Sequence, residues 1–197
     1  MGSYRIGAVF KPKDTSAGRF MGHSTIYGAD GEHETPYMTR FWIGRLRLHI
    51  FHRGDADPDC HDHPWDFTTF PLRSYVEEVL EERKQTRWSG GEKTVTTYFI
   101  RHTQIVKAFR FHFRKAEHRH RVLGAFTGWS VVCGEEVGSL NTIPLYAPVG
   151  TIPTLVWRSG IKRKWGFTKD DETGKWCWVP WKKYAYEGGK HAPCGDE

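Results

Sequence analysis

Between Arg45 and Ile50 the chain reads Arg-Leu-Arg-Leu-His-Ile, and no other stretch restricts its folding as tightly. Side chains on a β-strand alternate sides, so Leu46, Leu48 and Ile50 share one face while Arg45, Arg47 and His49 take the other. Phe109-Arg110-Phe111-His112-Phe113-Arg114 repeats the alternation. The stretches 94–100, 129–133 and 154–157 are rich in β-branched and aromatic residues, which suit a pleated, half-buried surface. With 21 Gly and 10 Pro separating such stretches, the pattern predicts an all-β sandwich or barrel in which helix is minor. Tyr75 to Lys84 fits a helix through Val76, Val79 and Leu80 and a strand through Tyr75, Glu77 and Val79; it is read as strand. Ser89-Gly90-Gly91 marks a turn between strands and lacks the Gly-Lys-Ser/Thr ending of a phosphate-binding loop. Residues 1–44, with many Gly, Thr and Ser and no clear period, are expected to form an arm or edge strands.

A chain of 197 residues accommodates one domain with a sizeable core. No uncharged apolar run approaches bilayer length, so no membrane partner is expected. Met1 to Ile6 lacks the basic start and apolar centre of a secretory signal, and Ile6 stands where a myristoylation site needs Ser or Thr. A cytoplasmic location is the expectation. Cys60, Cys133, Cys177 and Cys194 form no Cys-x-x-Cys pair and are read as free thiols. The net charge of +6 leaves nucleic acid open as a partner. The densest basic run, Lys162-Arg163-Lys164 before Trp165, reads either as a stacking, backbone-tracking patch or as a solvated turn, and the turn is preferred.

Two segments carry His-x-His: Cys60-His61-Asp62-His63-Pro64-Trp65-Asp66-Phe67 and Glu117-His118-Arg119-His120-Arg121-Val122. On a strand, residues i and i+2 point to the same side, so His61 and His63 can offer two imidazoles to one ion, with a third from an opposite strand. Imidazole suits Fe(II), Zn, Ni, Cu and Mn, and three protein ligands leave coordination positions for water or substrate. Spacing alone does not choose between His118 and His120. The 11 histidines make some close pairs unremarkable, and His49, His52, His102 and His112 are read as ordinary polar or surface residues.

His61-Asp62-His63-Pro64-Trp65-Asp66-Phe67, followed by Tyr75-Val76-Glu77-Glu78, resembles the first motif of a small cupin-like family common in phages and bacteria. His112 through Ala116 into His120-Arg121-Val122 is similar to its second motif, and Thr154-Leu155-Val156, Gly160 to Phe167 and Trp178 to Tyr184 are similar to its C-terminal pattern. The resemblance implies a cupin-type double-stranded β-helix, or jelly-roll barrel, over residues 45–184, followed by a tail over 185–197. It implies His61, His63 and His120 as the metal ligands. Two departures stand out. Thr68 occupies the position five residues after His63 where metal-binding cupins place a Glu, and residues 127–150 read as an inserted loop on the barrel rim. Asp66, on the face of Thr68 in a regular strand, is expected to approach the metal, to orient a ligand histidine, or to form a structural ion pair.

These expectations lead to a mononuclear centre with one divalent ion, Fe(II) favoured and Zn, Mn or Ni as alternatives, in a dioxygenase-type enzyme acting on a small molecule. Asp66, Glu77 and Arg163 are the candidates for proton handling and for holding an anionic substrate group. Metal-dependent isomerase or lyase chemistry and non-catalytic sequestration of a small ligand are the alternatives. A homodimer through an exposed sheet edge is a further expected partnership, and a phage-encoded chain would work in the host cytoplasm.

Overall fold

The computed structural model describes residues 20–27, 35–133 and 140–195. The expectations for residues 1–19 and 28–34 of the arm, for 134–139 of the loop and for 196–197 of the tail lie outside the described residues, as does that for the Cys133 side chain. Among the described residues the chain is nearly all β, with one short helix. Strands β1 (Met21–Ile26), β2 (Met38–Ile43), β3 (Leu46–Arg53), β11 (Val149–Arg158), β5 (Phe67–Pro71) and β8 (His112–Arg114) lie side by side in one sheet, in that order. The second sheet runs β13 (Trp176–Pro180), β12 (Gly166–Asp170), β4 (Cys60–His61), β9 (Arg119–Cys133), β6 (Tyr75–Ser89) and β7 (Glu92–Val106), and β10 (Leu140–Ala147) pairs with β9. The two sheets form a jelly-roll, cupin-type arrangement, with α1 (Trp181–Tyr186) packed against β12 and β13.

The alternation at Arg45–Ile50 becomes β3, and the ambiguous stretch from Tyr75 becomes β6. Glu77 lies fully buried between buried Val76 and half-buried Glu78, so the polar side chains that blurred the period serve the interior. β8 is shorter than the alternating phenylalanines predict. Phe109 has φ 57 and sits in a turn, with its N–H donating to Pro71 O at 2.8 Å. The described parts of residues 127–150 are strand rather than loop: the end of β9, β10 and the start of β11.

Tyr75, Val106, Val122 and Ala125 from the second sheet meet Ile152 and Phe51 from the first, making the core between the sheets. A β-bulge keeps this face in phase. Val76 pairs with Gly124 and Glu77 with Val122, so Leu123 is the extra residue, and Tyr75 and Glu77 both keep their interior partners. Gly124 has φ 153, and a Cβ there would lie 2.1 Å from the carbonyl oxygen of Ala147. Only glycine suits that position.

A second apolar cluster, Phe167, Val179 and Tyr184 with Trp165, Cys177 and Trp181, joins the C-terminal segment to β12. The expectation of four free thiols is corrected here, since Cys177 and Cys194 form a disulfide that ties the tail to β13. Their separation of 17 residues carries no recognisable pairing signal in the sequence. Cys60 is a free, buried thiol, and burial pushes its pKa up to about 12. No helix among the described residues is long and apolar enough to cross a membrane.

Candidate metal centre

β4 is only two residues long, yet it places the first histidine by pairing on both sides. His61 lies opposite His120 of β9 and opposite Phe167 of β12. The extended course continues past the strand, with Asp62 N donating to Gly166 O at 3.0 Å and His63 N to Ala116 O at 2.9 Å. His61 and His63 therefore face one side and Asp62 the other. Asp62 is fully buried and accepts from Gly166 N at 2.7 Å and Trp178 Nε1 at 3.0 Å, with Arg163 Nη1 at 2.7 Å. It pins the two histidines from behind.

Among the described residues, two groups bring three possible ligand atoms within 4.8 Å of one another: His61, His63 and His120, and Glu77, His118 and His120. His120 belongs to both through its two ring nitrogens. Its Nδ1 lies 2.7 Å from Glu77 Oε2, and its Nε2 lies 2.9 Å from His63 Nε2. Burial pushes the Glu77 carboxyl upward, but His120, His118 and Arg114 outweigh it and hold the group well below the usual range. An ionised Glu77 only accepts, which assigns the proton to His120 Nδ1 and leaves the Nε2 lone pair facing His63. Two ring nitrogens bound at right angles to one ion, each at about 2.1 Å, would stand about 3.0 Å apart. The His63–His120 approach has that spacing.

The Glu77, His118 and His120 group is a hydrogen-bonded network rather than a vacant ligand set. Glu77 Oε1 already accepts from Gln104 at 2.6 Å and from Arg114 at 3.0 Å. A guanidinium at that distance opposes a second cation. His118 Nε2 lies 3.5 Å from the same oxygen, an electrostatic contact at most. The fit to an ion is accordingly better at His61, His63 and His120, with Glu77 orienting His120 in the way a carboxylate behind a metal-bound imidazole does.

Burial also favours neutral imidazoles. It lowers His61 to about 3 and His63 well below the ordinary value, in each case with the neighbouring histidines adding to the effect. Asp55 stands behind His61, its Oδ2 3.7 Å from Nδ1, and burial together with Asp57 raises it to about 7. Sequence reasoning missed Asp55. Its signal is the acidic run Asp55-Ala-Asp57-Pro-Asp59 just ahead of the first histidine motif.

The other predicted site residues fall outside the ligand set. Asp66 accepts from Ala116 N at 2.9 Å and pairs with Lys162. Arg163 pairs with Asp62 and thereby supports the histidine turn. Phe67, Thr69 and Pro71 are the buried side of β5, so Thr68 faces the other way. Phe67 fills the space at the centre, its ring 4.5 Å from that of His63. His52 bonds Thr39, His112 bonds Lys107 O, and neither joins the cluster.

An open groove of about 610 Å³ lies beyond the Glu77 network, lined in part by His102, Gln104, Arg114, Lys115 and His118. His61, His63 and His120 do not line it. It adjoins the centre through Gln104 and Arg114, the two donors to Glu77 Oε1.

Fold and centre together define a jelly-roll β-protein with a buried His/Glu group positioned to hold a metal ion. No protein-family model matches the chain, and no match was found among curated proteins.

Proposed function

We propose that the protein is a mononuclear metal-dependent oxygenase of the cupin type, binding Fe(II) through His61, His63 and His120 and acting on a small molecule with an anionic group. The observation that carries this reading is the 2.9 Å approach of His63 Nε2 to His120 Nε2, with His61 beside them and no carboxylate among the three. The likeness of the two histidine segments to the small cupin-like family supports it. Three neutral ligands leave exchangeable positions on a six-coordinate ion, whereas a purely structural site needs a filled shell.

A bound Fe(II) would supply the redox change that dioxygen chemistry requires. The chain's own residues bind and orient. Glu77 fixes the His120 tautomer, Asp62 holds the turn carrying His61 and His63, and Phe67 and Trp165 place aromatic rings against the imidazoles. Arg114 and Lys115 give the neighbouring groove its cations for an anionic group.

Elemental analysis of protein purified without added metal tests the ion. Anaerobic Fe(II) loading followed by nitric oxide tests the open positions, and a high-spin iron-nitrosyl signal in electron paramagnetic resonance is expected. Fully loaded protein giving no nitrosyl adduct would overturn the oxygenase reading. Turnover that persists without oxygen would replace it with Lewis-acid isomerase or lyase chemistry.

A further inference from the structure

β6 and β7 extend well past the body of the protein. β9 pairs with β6 only from Tyr75 to Leu80, while β6 and β7 continue to pair without interruption out to Ser89 and Glu92. Phe99 still rests against Trp176, and Arg119 reaches Glu82, so the ribbon is anchored at its base. Every residue from Glu82 to Tyr98 is exposed. The outer part of the ribbon, from Arg83 to Ser89, is about 23 Å long at the usual strand rise. A two-stranded ribbon with both faces in water is marginal by itself, so its retention needs an explanation beyond the core.

Its chemistry is one-sided. Arg83, Lys84, Arg87 and Lys93 stand against Glu92 alone between Arg83 and Tyr98, four cations to one acid. Cross-strand register places Arg83 opposite Tyr98, Gln85 opposite Thr96 and Arg87 opposite Thr94, which gives one face made of Arg, Gln, Thr and Tyr. Arg83 pairs with Glu81 at 2.8 Å and Lys84 with Glu82 at 3.7 Å, both at the solvent-exposed base of the ribbon, where such pairs are easily exchanged. Arg87 and Lys93 form no ion pair among the described residues. Trp88 stands at the tip with 71% of its surface exposed. Gly90 and Gly91 both have positive φ and close the turn tightly, so nothing widens the tip. By contrast, the Lys162-Arg163-Lys164-Trp165 run is already committed: Lys162 pairs with Asp66, Arg163 with Asp62, and Trp165 stacks on Trp181.

We propose that the β6–β7 ribbon is a DNA-binding arm that lies in the major groove of duplex DNA. That groove, about 12 Å wide, admits a two-stranded β-ribbon, whereas the major groove of an RNA duplex is too narrow and deep. Lys84 and Lys93 meet phosphates, the Arg83, Gln85 and Arg87 face turns to base edges, and Trp88 packs at the leading end. The net charge of +6 assists the encounter.

The test is fluorescence anisotropy of a labelled duplex of about 20 base pairs, titrated with the full chain at about 50 mM salt and at higher salt. Wild type is expected to bind, with a salt slope that falls in a variant carrying R83Q, R87Q and K93Q and an affinity that falls at least about tenfold. A variant carrying K107Q, R110Q and K182Q loses the same charge away from the arm and is expected to bind as wild type does. All six positions are exposed, and unchanged thermal unfolding confirms that both variants fold. The difference in fluorescence between wild type and W88F should shrink on adding duplex. Absence of duplex binding by wild type overturns the proposal, as does equal loss in both triple variants. Stronger binding of single-stranded DNA or duplex RNA overturns it too, and so does a ribbon-dependent dimer that binds no DNA.

Discussion

His120 is the residue on which both histidine groups depend, since one ring nitrogen answers to Glu77 and the other to His63. Metal content should therefore separate residues that spacing could not. We expect His120→Ala, and His61→Ala with His63→Ala, to lose stoichiometric metal, while His118→Ala and His52→Ala retain it; elemental analysis of the purified variants decides. Equal metal in wild type and the double variant would remove the assignment. Glu77→Gln keeps the shape but takes away the charge that fixes His120, and affinity should fall about 10–100-fold in a chelator competition. Unchanged affinity would mean that the carboxylate does not orient the ligand. At this scale the His-x-His period was legible because it depends only on strand geometry. Asp55 and the Asp62 anchors were not, because their partners Gly166 and Trp178 are brought in from distant strands.

Strands with strict alternation, such as β3, could be read directly from the chain, whereas β6 could be read only with difficulty because its interior face carries Glu77. The phenylalanines before β8 alternate but remain exposed, so the pattern there reflects surface aromatics. The bulge at Gly124 was invisible, since a lone glycine in a strand does not announce the backbone it meets. Gly124→Ala would force a Cβ against the Ala147 carbonyl in a backbone conformation that resists it. The expected loss is on the order of 3 kcal/mol in urea unfolding. Gly128→Ala, with nothing within 4 Å of the added carbon, is the control and should change little. Equal stability of the two variants would show that the β9–β10 contact yields at no cost.

Across the whole molecule, acid should act through histidines held neutral by burial. His49 and His61 are lowered to about 3, and His63 and His118 are lowered as well. The unfolded chain takes up these protons below about pH 6.5 and the folded chain does not, so the unfolded state binds more protons in that window. Stability of the metal-free protein therefore falls as pH drops from 6.5 towards 3, by about 1 kcal/mol per pH unit for each histidine that stays neutral. Asp55, raised to about 7, acts in the opposite direction between its unfolded value and 7, and burial raises Asp59 and Asp62 in the same sense, so three carboxyls stand against four histidines. Urea midpoints at neutral and mildly acidic pH measure the balance, and His49→Gln should flatten the slope by one proton. A midpoint that rises on acidification would contradict the sign.

β11 lies between β3 and β5, so Thr154 is hydrogen-bonding neighbour to segments near both His49 and Pro71. Such pairings close long loops before they bring any contact, and proteins of high relative contact order fold in about milliseconds to seconds. The histidines converge only through the β4–β9 and β6–β9 pairings, which themselves span much of the chain. An ion bound there would thus meet a finished cradle rather than act as the nucleus around which the chain gathers. Adding metal to refolding protein should leave the refolding rate unchanged while slowing unfolding, the kinetic mark of an interaction absent from the transition state.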